Sequence, residues 1–285
     1  MQDQNLQPGS GQSVRSDLAV RALSALVMAP LALVAAWWGG WAFALLLTLS
    51  ACAMSWELAG LLLGGASLSR SAGLALTAII AIFLTTSGSP SLALAAGLIG
   101  LALEAARCLM RGWPVRPAFL AYPYLVLPLI ALVWLRADPV LGREATLWIL
   151  AVVWAIDICA YFSGRLIGGP KLAPRISPKK TWAGLIGGMV GAAIVGAVTA
   201  MLLGQGSVWA LALVSASLAL VEQAGDFVES GWKRRAGVKD ASNLIPGHGG
   251  MLDRVDGLVA ASLAATLIGL LHGGLHPASG ALIWP

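Results

Sequence analysis

The chain has 285 residues, of which 58% are apolar and 11% charged, with a mean hydropathy of +0.83 and a formal net charge of +5. A soluble domain carries about 25% charged residues, so these figures exclude a disordered chain, a collagen-like chain and an ordinary soluble enzyme, and leave a polytopic helical membrane protein. The Lys and Arg residues sit in short segments between apolar runs, as loops at a lipid surface do, so membrane lipids rather than nucleic acid are the expected partner of the excess charge.

Residues 1–14 form a polar N-terminal tail. A signal peptide would have a basic start and a short apolar core. Here the run after Arg21 continues without a charge to Trp56, which predicts two retained spans joined by a tight Gly39-Gly40 turn. A helix needs roughly 20 apolar residues to cross a bilayer core. Charge-free runs give candidate spans at 22–38, 42–64, 72–87, 91–106, 117–135, 146–164, 183–203, 208–228 and 257–273. The third and fourth are short and separated only by Ser87–Pro90, so eight spans is the alternative count. The expected fold is therefore all-α, a transmembrane bundle of about nine spans.

A cytoplasmic N-terminus and nine alternating spans leave only Arg136 and Arg143, among 18 basic residues, on the outer side. That bias supports both the count and the orientation. Trp37, Trp38, Trp41, Trp113, Trp134, Trp148 and Trp209 fall near span ends, where indoles favour the interface. The seventh span, GLIGGMVGAAIVGAVTA, spaces Gly184/Gly188 and Gly187/Gly191 for close helix packing. No inverted internal repeat argues for a transporter. Cys52, Cys108 and Cys159 make no disulfide framework, and His272 and His276 lack a third ligand for zinc.

More than half of the charged residues lie in 157–256. The chain accordingly divides into a sparsely charged scaffold, 15–145, and a catalytic membrane region, 146–285, with cytoplasmic loops at 165–182 and 229–256. Asp157 stands in mid-span, where an ionisable group is costly and is by default a functional candidate; a hydrogen-bonded buried carboxyl is the plainer reading. The loop GGPKLAPRISPKKTWAG (168–184) delivers Lys179, Lys180 and Thr181 to a helix start. A helix N-terminus beside lysines suits an anion, although a loop that touches only headgroups would look the same. It is not a P-loop, because the GxxxxGK[ST] spacing is missing.

Glu222, Asp226, Glu229, Ser230 and Lys233 recur at spacings that place them on one helical face. Three carboxylates on one stripe repel each other unless a cation neutralises them, and a hard ion such as Mg2+ takes oxygen ligands together with substrate phosphate. The competing reading is a solvated helix end paired with Lys233 and Arg234. The segment KRRAGVKDASNLIPGHGGMLDRVDG (233–257) adds a cationic run, a Pro-Gly-His-Gly-Gly turn suited to phosphate, and Asp253 and Asp256 flanking Arg254. Cations, a phosphate-compatible turn and several carboxylates on one membrane face are what phosphoryl or nucleotidyl transfer requires.

The stretch SGWKRRAGVKDASNLIPGHGGMLDRVD (230–256) resembles the signature of the phosphatidate cytidylyltransferases, also called CDP-diacylglycerol synthases. It departs only at Trp232, where the pattern has an aliphatic residue or Phe. Asp157 with Tyr161 and Gly164, SPKKTWAGLIGG (177–188) and GDFVES (225–230) are similar to the family as well, as is Glu57 in SWELAGLL. Ala183 stands where family members often carry Glu or Gln, so that position supplies no ligand here.

The resemblance implies a Mg2+-dependent integral-membrane enzyme, commonly a homodimer, that joins CTP and phosphatidate into CDP-diacylglycerol and pyrophosphate for phospholipid synthesis. It implies a bacterial inner (plasma) membrane location with the site facing the cytoplasm. Metal ligands are expected at Asp226 and Asp253, with Asp256, Glu229 and Asp157 supporting that site or a second cation such as K+. Lys179, Lys180, Lys233, Arg234 and Lys239 are expected to neutralise the triphosphate and the lipid headgroup. Ser177, Thr181, Ser230, Asp240, Gly249, Gly250 and Arg254 complete the expected substrate contacts. His248 lines the phosphates in a positioning role, with a general-acid role as the alternative. A CTP-dependent lipid kinase acting on a polyprenol-type alcohol would share most of these features, and an ion-coupled transporter is the rival of another class.

Overall fold

The computed structural model describes residues 24, 26–63, 68–247 and 249–285. The polar tail, Arg15, Arg21, the start of the first expected span and His248 lie outside the described residues. Among the described residues, eight helices are long and apolar enough to cross a membrane: α2 (Gly40–Leu62), α3 (Leu68–Thr86), α4 (Pro90–Met110), α5 (Arg116–Ala137), α6 (Gly142–Leu166), α7 (Trp182–Leu203), α8 (Val208–Arg235) and α9 (Leu252–Gly273). A shorter apolar helix, α1 (Leu26–Trp38), precedes them. A six-residue helix, α10 (Pro277–Leu282), folds back on α9.

Burial is inverted relative to a soluble protein. Leu98, Leu103, Met110, Leu202 and Leu271 point outward, whereas Glu57, Glu104, Thr146, Ser215, Glu222 and Ser262 are buried. Apolar side chains facing outward on helices of this length identify an integral membrane protein. Lipid contributes no hydrophobic drive between helices, so close approach and internal polar contacts must hold them together. Gly184, Gly188, Gly191 and Gly196 are buried along α7, and a Cβ at Gly188 would lie 3.1 Å from Ile156 Cγ2 of α6. In the core, Trp148 Nε1–H donates to Ser215 Oγ at 3.0 Å.

Two apolar clusters result. One gathers α1 to α5 with Leu150 of α6, Trp232 near the end of α8, and Leu252 and Val259 of α9. The other gathers α6, α7, α8, α9 and α10. Helix α5, the most enclosed of the eight, contributes to both.

The Ser87–Pro90 connection is a true reversal. Gly88 turns at φ 83° and Pro90 opens α4. The Gly39-Gly40 turn also forms, with Gly39 at φ 67°. The Arg136 guanidinium fills the place a side chain at Gly39 would need, and its Nε and Nη2 donate to Ala36 O (2.6 Å) and Trp37 O (2.8 Å), satisfying the last carbonyls of α1.

Two features differ from the sequence expectation. Residues 165–182 are not simply a loop. Strands β1 (Lys171–Ala173) and β2 (Ser177–Thr181) pair antiparallel, Lys171 opposite Thr181 and Ala173 opposite Ser177. In addition, α8 continues to Arg235 and α9 begins at Leu252, so the expected loop 229–256 is shorter at both ends and Asp253 and Asp256 are helical, while Glu229 and Ser230 lie on the helical face expected of them. The charged end of α8 is not lipid-like, but it remains a good helix: its last turn carries Lys233, Arg234 and Arg235, which complement the negative end of the helix dipole.

Candidate active site

The end of α8, the start of α9, β2 with the start of α7, and α6 converge at one end of the bundle. Asp226 and Glu229 from α8 meet Asp256 from α9, each offering an oxygen within 4.8 Å of the others. Three charges at that spacing repel by roughly 3–4 kcal/mol per pair at an effective dielectric of about 20. Two lysines offset part of this. Lys180 ion-pairs with Asp226, whose other oxygen accepts from Ser230 Oγ–H at 3.0 Å. Lys233 Nζ stands 2.5 Å from Glu229 Oε2 and 2.5 Å from Asp253 Oδ1. Glu222 is buried beside them, and Asp157 and Lys180 are its electrostatic neighbours. The acids therefore outnumber the two lysines among them.

Asp253 is used differently from the expected joint chelation with Asp226. Its Oδ1 is on Lys233, and its Oδ2 accepts from Ala241 N (2.9 Å) and Gly250 N (2.8 Å). The side chain thus clamps Ala241 and Gly250 onto α9. The Gly250 amide is directed at Asp253 rather than outward as a phosphate nest would require. Gly249 sits at φ 83° and its carbonyl accepts from Ile245 N at 2.8 Å, closing the turn. The carboxylates at the α8–α9 crossing that come close enough together to share a cation are Asp226, Glu229 and Asp256.

Asp157 is exposed, and Lys180 and Arg254 are its cationic neighbours. Lys180 is half-buried. Burial pushes its ammonium below the usual lysine range, and Glu222, Asp256 and Asp157 pull it back up. Thr181 is buried and its Oγ1 accepts from Gly184 N at 3.1 Å, capping α7. Ser177 is half-buried in β2, and Lys179, Arg234, Lys239, Asp240 and Arg254 are exposed around the rim. Arg234 donates to Val238 O and stays outside the acidic group.

Two residues extend the site beyond the motif region. Tyr124 of α5 packs edge-on against Trp232 with ring centroids 4.7 Å apart, and Asp256 and Glu229 are its electrostatic neighbours. Glu57 of α2 reaches the loop before α9. Neither lies near a charged motif in sequence; the resemblance of SWELAGLL to the family singled out Glu57, whereas Tyr124 is connected to the site by the fold alone.

A hard divalent cation fits this donor set. The ligands are all carboxylate oxygens. Glu229 is fully buried, and its Oε1 has no partner among the described residues. A buried carboxylate oxygen left without a partner is costly unless something positive meets it.

Residues 19–271 match the model of the cytidylyltransferase family. The phosphatidate cytidylyltransferase of Brucella suis biovar 1 (strain 1330) is 38% identical over 259 residues, which is 90% of this chain and 94% of that protein. Over shorter stretches, the phosphatidate cytidylyltransferase of Staphylococcus haemolyticus (strain JCSC1435) is 47% identical over 116 residues, 40% of this chain and 45% of that protein. That of Haemophilus influenzae is 43% identical over 129 residues, 44% and 45% of the two chains.

Proposed function

The chain belongs to the phosphatidate cytidylyltransferase family, and we propose that it condenses CTP with phosphatidate to CDP-diacylglycerol and pyrophosphate at the cytoplasmic end of the α8–α9 pair. The observation that carries the site is the convergence of Asp226, Glu229 and Asp256, with one Glu229 oxygen unpartnered among the described residues. Mg2+ would be held by these three, with Asp253 bordering them across Lys233. Bound there, Mg2+ would draw negative charge from the triphosphate oxygens.

The chain's own residues supply the rest. A phosphatidate phosphate oxygen is already ionised near neutral pH, so it needs no strong base; the obstacle is one anion approaching another. In the reaction this oxygen bonds the α-phosphorus of CTP, and the bond from that phosphorus to the bridging oxygen of pyrophosphate breaks. Lys180, poised on Asp226, and Lys233, shared by Glu229 and Asp253, would stabilise charge close to the reacting phosphates. The exposed Lys179, Arg234, Lys239 and Arg254 would gather the nucleotide and the headgroup at the rim. The acyl chains remain in lipid. With α1 as a ninth span and the N-terminus inside, this rim faces the cytoplasm of a bacterial inner membrane.

The test is an assay of purified protein with labelled CTP and phosphatidate. Equal amounts of CDP-diacylglycerol and pyrophosphate are expected, lost with EDTA and restored by Mg2+. Release of CDP instead of pyrophosphate would identify a lipid kinase, and solute movement without CTP consumption a transporter.

A further inference from the structure

Glu57 lies on α2, far from the charged motifs in sequence, yet it is 2% exposed and reaches the start of α9 and the loop that precedes it. Its Oε1 accepts from Ser242 Oγ–H at 2.6 Å and from Met251 N at 2.8 Å, and its Oε2 accepts from Leu252 N at 2.8 Å. It has no ion pair among the described residues. A buried carboxylate without a countercharge is costly. Here the compensation comes from three donors and from the positive end of the α9 dipole. Met251 and Leu252 provide the first amides of α9, which have no partner inside the helix.

Gly250 has the same origin. A Cβ there would stand 2.5 Å from Glu57 Oε1 and 3.0 Å from Ser242 N. Glycine at this position lets the carboxylate approach. The Gly250 amide then turns to Asp253. The loop is gripped from two sides, by Glu57 of the scaffold and by Asp253 of α9. Asp253 holds Lys233, and Lys233 holds Glu229.

We propose that Glu57 is a positioning residue for nucleotide transfer, because its carboxylate pins Ser242, Met251 and Leu252 and so sets the Asp253–Lys233–Glu229 chain at the edge of the acidic site. The proposal rests on the reading of the site given above. Gln at this position keeps the shape but replaces one acceptor with an NH2 donor, which must face a donor amide. Asp keeps the charge but withdraws it by one methylene.

The test compares wild type, Glu57→Gln, Glu57→Asp and Glu104→Gln, the last altering a buried scaffold acid away from the site. Glu57→Gln is expected to lower kcat/KM for CTP tenfold or more and to raise the Mg2+ concentration for half-maximal rate, with Glu57→Asp intermediate and Glu104→Gln unchanged. Amide exchange at Met251 and Leu252 is expected to quicken at least tenfold in Glu57→Gln. If Glu57→Gln does not fold, Ser242→Ala removes one of the three donors and is expected to shift the same quantities about threefold. Wild-type kinetics with wild-type exchange, in whichever variant folds, overturns the proposal. If the wild-type protein makes no CDP-diacylglycerol, the functional reading fails, and the exchange measurement alone decides whether Glu57 pins the loop.

Discussion

Asp226 and Asp253 lie in the two acidic stretches of one motif region, yet they do different work. Asp226 belongs to the three-carboxylate group, whereas both oxygens of Asp253 are committed to Lys233 and two loop amides. Asp226→Asn removes a charge from the proposed cation site and is expected to slow turnover 100-fold or more, by analogy with other losses of transition-state charge stabilisation. Excess Mg2+ should recover little of that loss. Asp253→Asn keeps one acceptor for the loop but weakens the hold on Lys233, and is expected to lower activity together with stability. Steady-state rates across a Mg2+ titration, paired with melting temperature, separate the two. A wild-type rate for Asp226→Asn would remove it from the site. The residue types and the α8 stripe were legible in the sequence because Asp226 and Glu229 are one turn apart. The partner of Asp253 and the reach of Glu57 were not, since those contacts depend on helices packing across much of the chain.

The spans were legible as elements because lipid demands long apolar runs, and the Gly39-Gly40 and Ser87–Pro90 turns carry residues that suit reversals. Their ends were less legible. Hydropathy reports where lipid stops, and α8 continues as a helix for another two turns beyond that point, to Arg235. The β1–β2 hairpin was hidden in a loop with three prolines and alternating cations, which offered no apolar alternation to reveal strands. Its position matters because β2 delivers Lys180 and ends at Thr181, the cap of α7. Thr181→Ala leaves the Gly184 amide without its acceptor, and losing such a cap costs about 1 kcal/mol. Thr181→Ser retains the hydroxyl. Thermal unfolding in detergent should therefore place Thr181→Ala a few degrees below wild type and Thr181→Ser close to it. Equal melting of all three would mean that the cap does not hold this junction.

At the scale of the whole molecule, the chemistry gathers at one end of the bundle. Arg136 and Arg143 lie at the other end, where Arg136 closes α1 and Arg143 sits 4.6 Å from the centre of the Trp37 ring. Basic residues resist translocation, so the end with most of them is expected to stay in the cytoplasm. Helix α6 makes this testable across a single span. It is continuous from Gly142 to Leu166, and 25 residues rise about 37 Å, enough to cross the hydrocarbon core. Val140 is exposed just before it and Arg175 is exposed in the hairpin after it. In a background lacking Cys52, Cys108 and Cys159, Val140→Cys should react with a membrane-impermeant maleimide in right-side-out vesicles, and Arg175→Cys only in inverted ones. The reverse pattern would turn the molecule over and place the acidic site away from cytoplasmic CTP. Labelling of both positions from one side would mean that α6 does not span, and the bundle would have to be threaded through the bilayer differently.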